Sequence, residues 1–137
     1  MTHPMQVFVD GLGKAMADTR KNYHLCLGPA IKHLKQFSGH WQVKFDVGGH
    51  PRGAFSYRGY YEDLAISAVS EPSTVKEFLE LLEDALGKTF GGYKGGEYRM
   101  AEDTPLWMAE YGVGGGRAIM HINDTPEGLV IVTKEVE

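Results

Sequence analysis

One segment of the chain carries the signals for both of its own ends. Thr74 is followed three residues later by Glu77, the pair that makes a reciprocal capping box, and Gly87 stands where a helix would stop. Between them Val75, Phe78, Leu79, Leu82 and Leu86 recur at helical spacing, which predicts an amphipathic helix whose apolar stripe needs a partner. Beyond Lys88 the pattern turns to strands: Glu97–Met100, Leu106–Glu110, Arg117–Ile122 and Leu129–Val136. They are divided by Asp103-Thr104-Pro105, by Gly112–Gly116 and by Asn123-Asp124-Thr125-Pro126. Strands of that length joined by short turns predict an antiparallel sheet. The expected fold class is α+β, helices packed on one face of an antiparallel β-sheet of five or six strands.

The first half fits the same plan. Met5, Phe8, Val9, Leu12 and Met16 form one stripe of a helix, so residues 1–20 are a candidate oligomerisation arm. Gly28-Pro29 opens a second helix, with Pro in the first turn where its missing N–H does no harm, and Ser38-Gly39 ends it. Ile31, Leu34 and Phe37 mark its buried side. Trp41, Val43, Phe45 and Val47 alternate with Gln42, Lys44 and Asp46, the period of a half-buried strand. Gly48–Gly53 is expected to be a loop, followed by extended segments at Ala54–Arg58 and Tyr60–Val69 with a kink at Gly59.

With 137 residues, 42% of them hydrophobic, the chain is expected to be a single α+β domain over 1–137 that needs no metal or disulfide staple. Cys26 is the one cysteine, so no internal disulfide forms. The opening M-T-H-P-M-Q-V-F-V-D-G has neither the charged start nor the long apolar run of a secretory signal, and a cytoplasmic protein is expected. No run reaches the ~18 apolar residues of a spanning helix. A formal charge of −4 gives no general attraction to nucleic-acid polymers or anionic membranes.

Local chemistry is more specific. Lys88–Met100 reads K-T-F-G-G-Y-K-G-G-E-Y-R-M, where paired glycines leave backbone N–H groups open beside aromatic faces and positive charge. Gly-Gly with aromatics equally caps a wide hairpin connection. Ser56-Tyr57-Arg58-Gly59-Tyr60-Tyr61 repeats the chemistry, and Gly112–Gly116 leads into Arg117, so three similar loops are expected to converge on one pocket. Phe90, Tyr60 and Tyr93 are candidates for stacking on a base, a contact worth about 1 to 3 kcal/mol each. Arg58 and Arg117 are candidates for phosphate, which a guanidinium grips in bidentate fashion, whereas Arg52 and Arg99 read as surface salt-bridge residues. Lys94, Met100 and Asp103 complete the expected ligand-binding set.

Catalytic motifs are missing. Gly112–Gly116 is followed by strand-like Ala118–Ile122, whereas a dinucleotide loop needs a helix next, and neither Lys88 nor Lys94 sits in a phosphate-loop spacing. The six histidines have no zinc-site spacing, so no metal and no cofactor are expected. Glu62-Asp63 and Glu102-Asp103 could act as acid and base, yet adjacent acids in turns are more often simply solvated.

S-Y-R-G-Y-Y-E-D-L, T-F-G-G-Y-K-G-G-E-Y-R-M, D-T-P-L-W-M-A-E-Y-G and G-R-A-I, with T-R-K-N-Y-H-L at Thr19–Leu25, resemble a family of small phage and prophage proteins. The chain is similar to the anti-Thoeris sponges, which sequester cyclic ADP-ribose isomers made by bacterial TIR-domain proteins. The resemblance implies a homo-oligomer, dimer or hexamer, in the host cytoplasm. It also implies pockets near subunit interfaces, further sites for cyclic oligonucleotides in some members, and capture without cleavage. Phe90 would stack on adenine, Arg117 would contact the pyrophosphate or ribose, and Arg58 would be a second anion contact. Two alternatives stay open. One is an enzyme that degrades a nucleotide signal with Glu62, Asp63 or a histidine as base, and the other is a protein-contact inhibitor of a defence system, as anti-CRISPR proteins are.

Overall fold

The computed structural model describes residues 24–57, 60–91, 96–109 and 117–135, with backbone only at Tyr60 and Tyr61. Arg58, Tyr93, Lys94, the glycine run 112–116 and the candidate arm 1–20 lie outside the described residues. Among those described, two helices and nine strands follow one another. Helix α1 (Leu27–Leu34) comes first, then β1 (Gln42–Phe45), β2 (His50–Tyr57), β3 (Tyr60–Val69) and β4 (Ser73–Thr74). Helix α2 (Val75–Ala85) precedes β5 (Thr89–Gly91), β6 (Glu97–Arg99), β7 (Leu106–Met108), β8 (Arg117–Thr125) and β9 (Gly128–Glu135).

The α+β class holds, but the sheet is mixed rather than antiparallel. Seven strands run in the order β2-β3-β7-β8-β9-β1-β4, with β5 and β6 forming a separate hairpin. β3 lies parallel to β7 and β1 parallel to β9. Parallel pairing requires long crossovers, and the chain between β3 and β7 supplies one that contains α2 and the hairpin. Turn-to-turn reading assumes that consecutive strands pair, which misses any crossover of this kind.

Sheet order and chain order together force a curve. β1 stands five places from β2, about 24 Å away in a flat sheet at ~4.8 Å per strand. Yet a tight turn joins them, with the Phe45 N–H donating to the Gly49 carbonyl at 2.9 Å. Gly48 and Gly49 make this turn with φ of 108° and 90°, which side chains with a Cβ rarely adopt. The sheet therefore rolls until its ends meet. The seam is closed by side chains: the buried Ser73 hydroxyl donates to the Pro51 carbonyl at 2.5 Å, His50 Nδ1 to the Val43 carbonyl at 3.0 Å, and Arg52 Nη2 to the Pro72 carbonyl at 2.8 Å. His50–Gly53 thus belongs to a strand, contrary to the loop its glycines and Pro51 suggest, with a register shift between Pro51 and Gly53.

The concave side is the core. Val43 and Phe45 from one end of the sheet share a cluster with Leu64 and Ile66 from the other, and with Leu27, Ile31 and Leu34 of α1 and Val75, Phe78 and Leu82 of α2. The capping box forms as expected: Glu77 N–H donates to Thr74 Oγ1 at 3.2 Å and Thr74 N–H to Glu77 Oε1 at 3.0 Å. Gly87 follows with φ 82°, and its N–H donates to the Met100 carbonyl at 2.7 Å. Leu86 is 38% exposed and Ala85 is buried in its stead, because the backbone leaves the helix at Leu86. Trp41 and Val47, at the ends of the alternating run, are exposed because β1 is only four residues long.

Removing the seam hydroxyl would leave the Pro51 carbonyl buried without its donor. Ser73→Ala is therefore expected to lower stability by about 1 to 3 kcal/mol, read as a lower urea midpoint at unchanged slope.

Candidate functional site

Arg117 opens β8 and pairs with Met108 on one side and Glu135 on the other. It shares a face with Ile119, two residues on and buried in the core, so its side chain rises from the concave side of the sheet. Its Nε donates to Thr133 Oγ1 at 2.9 Å. That hydroxyl has one proton, which it gives to Asp46 Oδ1 at 2.8 Å, while the Thr133 N–H donates to Asp46 Oδ2 at 3.0 Å. Asp46 lies just beyond β1, and its carboxylate takes the strand N–H that the shortened ladder no longer reaches.

The arrangement orients the guanidinium. Among the described residues the Nε contact is the one side-chain hydrogen bond Arg117 makes, so Nη1 and Nη2 remain as a fork while Nε is fixed. A planar fork held at its base fits phosphate or carboxylate oxygens bidentately with little rotamer freedom left to lose. Thr133 is nearly buried and Arg117 half-buried, so the contact works where solvent screens weakly.

The second predicted stretch is a hairpin. Phe90 on β5 faces Tyr98 on β6, and both rings pack against the core cluster. Lys88 Nζ stands over the Phe90 ring, 5.4 Å from its centroid, and 3.7 Å from Asp84 Oδ2. A base stacking on that face would compete with the ammonium. Met100 is not available to a ligand: it is 1% exposed, and its backbone ties the hairpin to the end of α2 through Lys88 and Gly87. A long apolar side chain directly after a strand is worth more in the core than on the surface. Asp103 is exposed in the turn before β7, next to Thr104, whose hydroxyl accepts the Ala101 N–H at 2.7 Å.

Register separates two of the expected contacts. Tyr60 pairs with Tyr57 at the start of β3, whereas Arg117 reaches β3 through Met108 at the level of Ile66. Six residues of strand at ~3.3 Å each put about 20 Å between those levels. Within one chain, the backbones of Tyr60 and Arg117 therefore stand well apart along the sheet. Arg52 behaves as expected of a surface residue, 3.9 Å from Glu77 Oε2.

The convex face holds residues that sequence reasoning read differently. Asp63 lies in the extended segment expected there, now β3, but its carboxylate is not solvated: it has no exposed surface, and its Oδ2 accepts the Trp107 Nε1–H at 2.8 Å. Tyr57 stacks on Trp107 with ring centroids 4.3 Å apart and planes 6° from parallel, and His24 tilts against the same indole at 4.5 Å. Ala65 and Ala118, the cross-strand neighbours of Trp107, are fully buried small residues that leave room for the ring. The signal was the strand parity: Asp63, Ala65 and Ser67 alternate with Leu64, Ile66 and Ala68, one acid and two small residues opposite an apolar face. Asp63 is thus buried and engaged by the indole N–H rather than solvated.

Two concavities are lined by other residues. A cleft of about 540 Å³ runs along α1 between Lys32, Lys35, Leu86 and Glu102, and a smaller one of about 140 Å³ lies beside Lys44, His50 and Glu127. None of the expected ligand residues lines either. Among the described residues no group of three or more His, Cys, Asp or Glu could hold a metal ion, and no helix is long and apolar enough to cross a membrane.

Trp107→Phe keeps the ring and removes the donor, leaving a buried carboxylate short of one hydrogen bond. It is expected to lower unfolding free energy by about 1 to 3 kcal/mol, measured by denaturant melts. No protein-family model matches the chain, and no curated protein or solved structure matches it.

Proposed function

We propose that this chain captures a cyclic nucleotide signal, a cyclic ADP-ribose isomer or a cyclic oligonucleotide, without cleaving it, and so acts as a phage counter-defence sponge. The observation that carries the reading is the Arg117 fork, pinned through Nε to Thr133 and Asp46 with both Nη groups left for an anion. In this reading Arg117 holds the phosphates and Phe90 stacks on the base, with Arg58, Tyr60, Tyr93 and Lys94 as further contacts. Because the backbones of Tyr60 and Arg117 stand about 20 Å apart along the sheet, the Tyr60 and Arg117 contacts to one ligand are assigned to different copies of the chain. The protein is then a homo-oligomer whose pockets span its interfaces. Degradation with Asp63 as base is the weaker reading, since that carboxylate is buried against Trp107.

The protein is incubated with a cyclic ADP-ribose isomer, freed of unbound ligand, and heated to denature it. Chromatography of the released material should return the ligand unaltered; a linear or hydrolysed product would refute capture. Arg117→Ala is expected to weaken binding about 10- to 100-fold, the range for hydrogen bonds to charged groups. Phe90→Leu, which keeps bulk against the core and loses the π face, is expected to weaken it by about 1 to 3 kcal/mol at unchanged melting temperature. Co-refolding the two variants should restore a fraction of tight sites if each pocket draws on two copies. Failure to do so would place Phe90 and Arg117 of each pocket in one chain.

A further inference from the structure

We propose that Glu135 completes the Arg117 site as the acceptor for a ribose cis-diol, so that the site selects a nucleoside diphosphate over a bare phosphate. The inference rests on Arg117 being the phosphate contact. Arg117 and Glu135 are direct cross-strand partners on β8 and β9, which puts their Cβ atoms about 5 Å apart on one face of the sheet. Opposite charges so placed would ordinarily pair. Here the guanidinium is drawn toward Thr133 instead, and no ion pair joins it to Glu135 among the described residues. The Thr133 hydroxyl can accept from Nε because its own proton is committed to Asp46, and the Thr133 N–H occupies the other carboxylate oxygen. Each Asp46 oxygen thereby already accepts a hydrogen bond from Thr133, whereas Glu135 is exposed.

A fork of two N–H donors beside an exposed carboxylate is a poor site for a simple anion, because the phosphate would lie against a second negative charge. A ribosyl phosphate resolves the conflict. An ionised carboxylate is acceptor-only, and the two vicinal hydroxyls of a ribose can both donate to it, the use that dinucleotide-binding proteins make of an acidic residue. One strand pair then reads two features of one ligand: phosphate on Arg117, diol on Glu135. The side chains that fix the arrangement lie one position inward, at Thr133 and Asp46.

The test is calorimetric titration of the full chain with ADP, 2′,3′-dideoxy-ADP and inorganic pyrophosphate, on wild type, Glu135→Ala, Glu135→Gln and Arg117→Ala. Wild type is expected to bind ADP about tenfold tighter than the dideoxy compound. Glu135→Ala should weaken ADP about tenfold and tighten pyrophosphate severalfold, changes of opposite sign that a merely structural role would not give. Glu135→Gln should share the pyrophosphate gain while keeping part of the preference for ADP. Equal affinity of wild type for ADP and its dideoxy form, or equal loss of both in Glu135→Ala, would overturn the diol contact and leave the Arg117 reading standing. Undiminished binding of all three compounds by Arg117→Ala would overturn the phosphate contact and the inference with it.

Discussion

The tight turn between β1 and β2 governs this fold. Two strands that stand five places apart in the sheet are adjacent in the chain, so the sheet must roll until they meet. Rolling gives the two helices a concave surface to fill and brings the sheet's outer strands together, where side chains from Ser73, His50 and Arg52 bridge them. An open edge is a template for unwanted pairing, and this closure covers much of it without a continuous ladder. The same turn delivers Asp46 beside Thr133, since β1 ends there while β9 continues.

That second consequence ties architecture to chemistry. A guanidinium on a strand would normally choose the nearest acid, and Glu135 is directly across from it. The end of β1 sets the Asp46 carboxylate against Thr133, two residues before Glu135 on the same strand, and the Thr133 hydroxyl takes Nε. Preorganisation of this kind is achieved by backbone register and needs no loop to close.

The two faces of the sheet are built on different principles. On the concave side, buried apolar residues from five strands and two helices form one cluster, and packing is the main source of stability. On the convex side a single indole is held by a buried acid below and a tyrosine ring above, over alanines small enough to admit it. A buried carboxylate is tolerable only with donors in place, so this cluster is sensitive to single changes in a way the apolar core is not.

Much of the fold was legible in the sequence because its signals are local. The capping box at Thr74 and Glu77, the stop at Gly87, the helix at Gly28-Pro29 and the alternation through Val43 and Phe45 each rest on residues within one or two turns of one another, and each formed, although that helix ends at Leu34, short of Phe37 and the Ser38-Gly39 stop expected. Of the candidate site, Arg117 could be picked out as a residue at a strand end next to glycine, and Phe90 as an aromatic within a glycine-rich hairpin. What decides their chemistry could not. Thr133 and Asp46 stand 87 residues apart in the sequence, and no periodicity links them. Asp63 read as a solvated acid because only the register of β3 against β7 turns it under Trp107, and Met100 read as a ligand contact because only the tertiary fold puts it in the core. The sequence by itself determined most of the helices and strands, since those preferences are set by near neighbours, whereas His50–Gly53, loop-like in sequence, is strand through its pairing with β3. Tertiary structure alone decided strand order, parallel pairing and the partner of each charged side chain, because these depend on which distant segments meet once the sheet has curled.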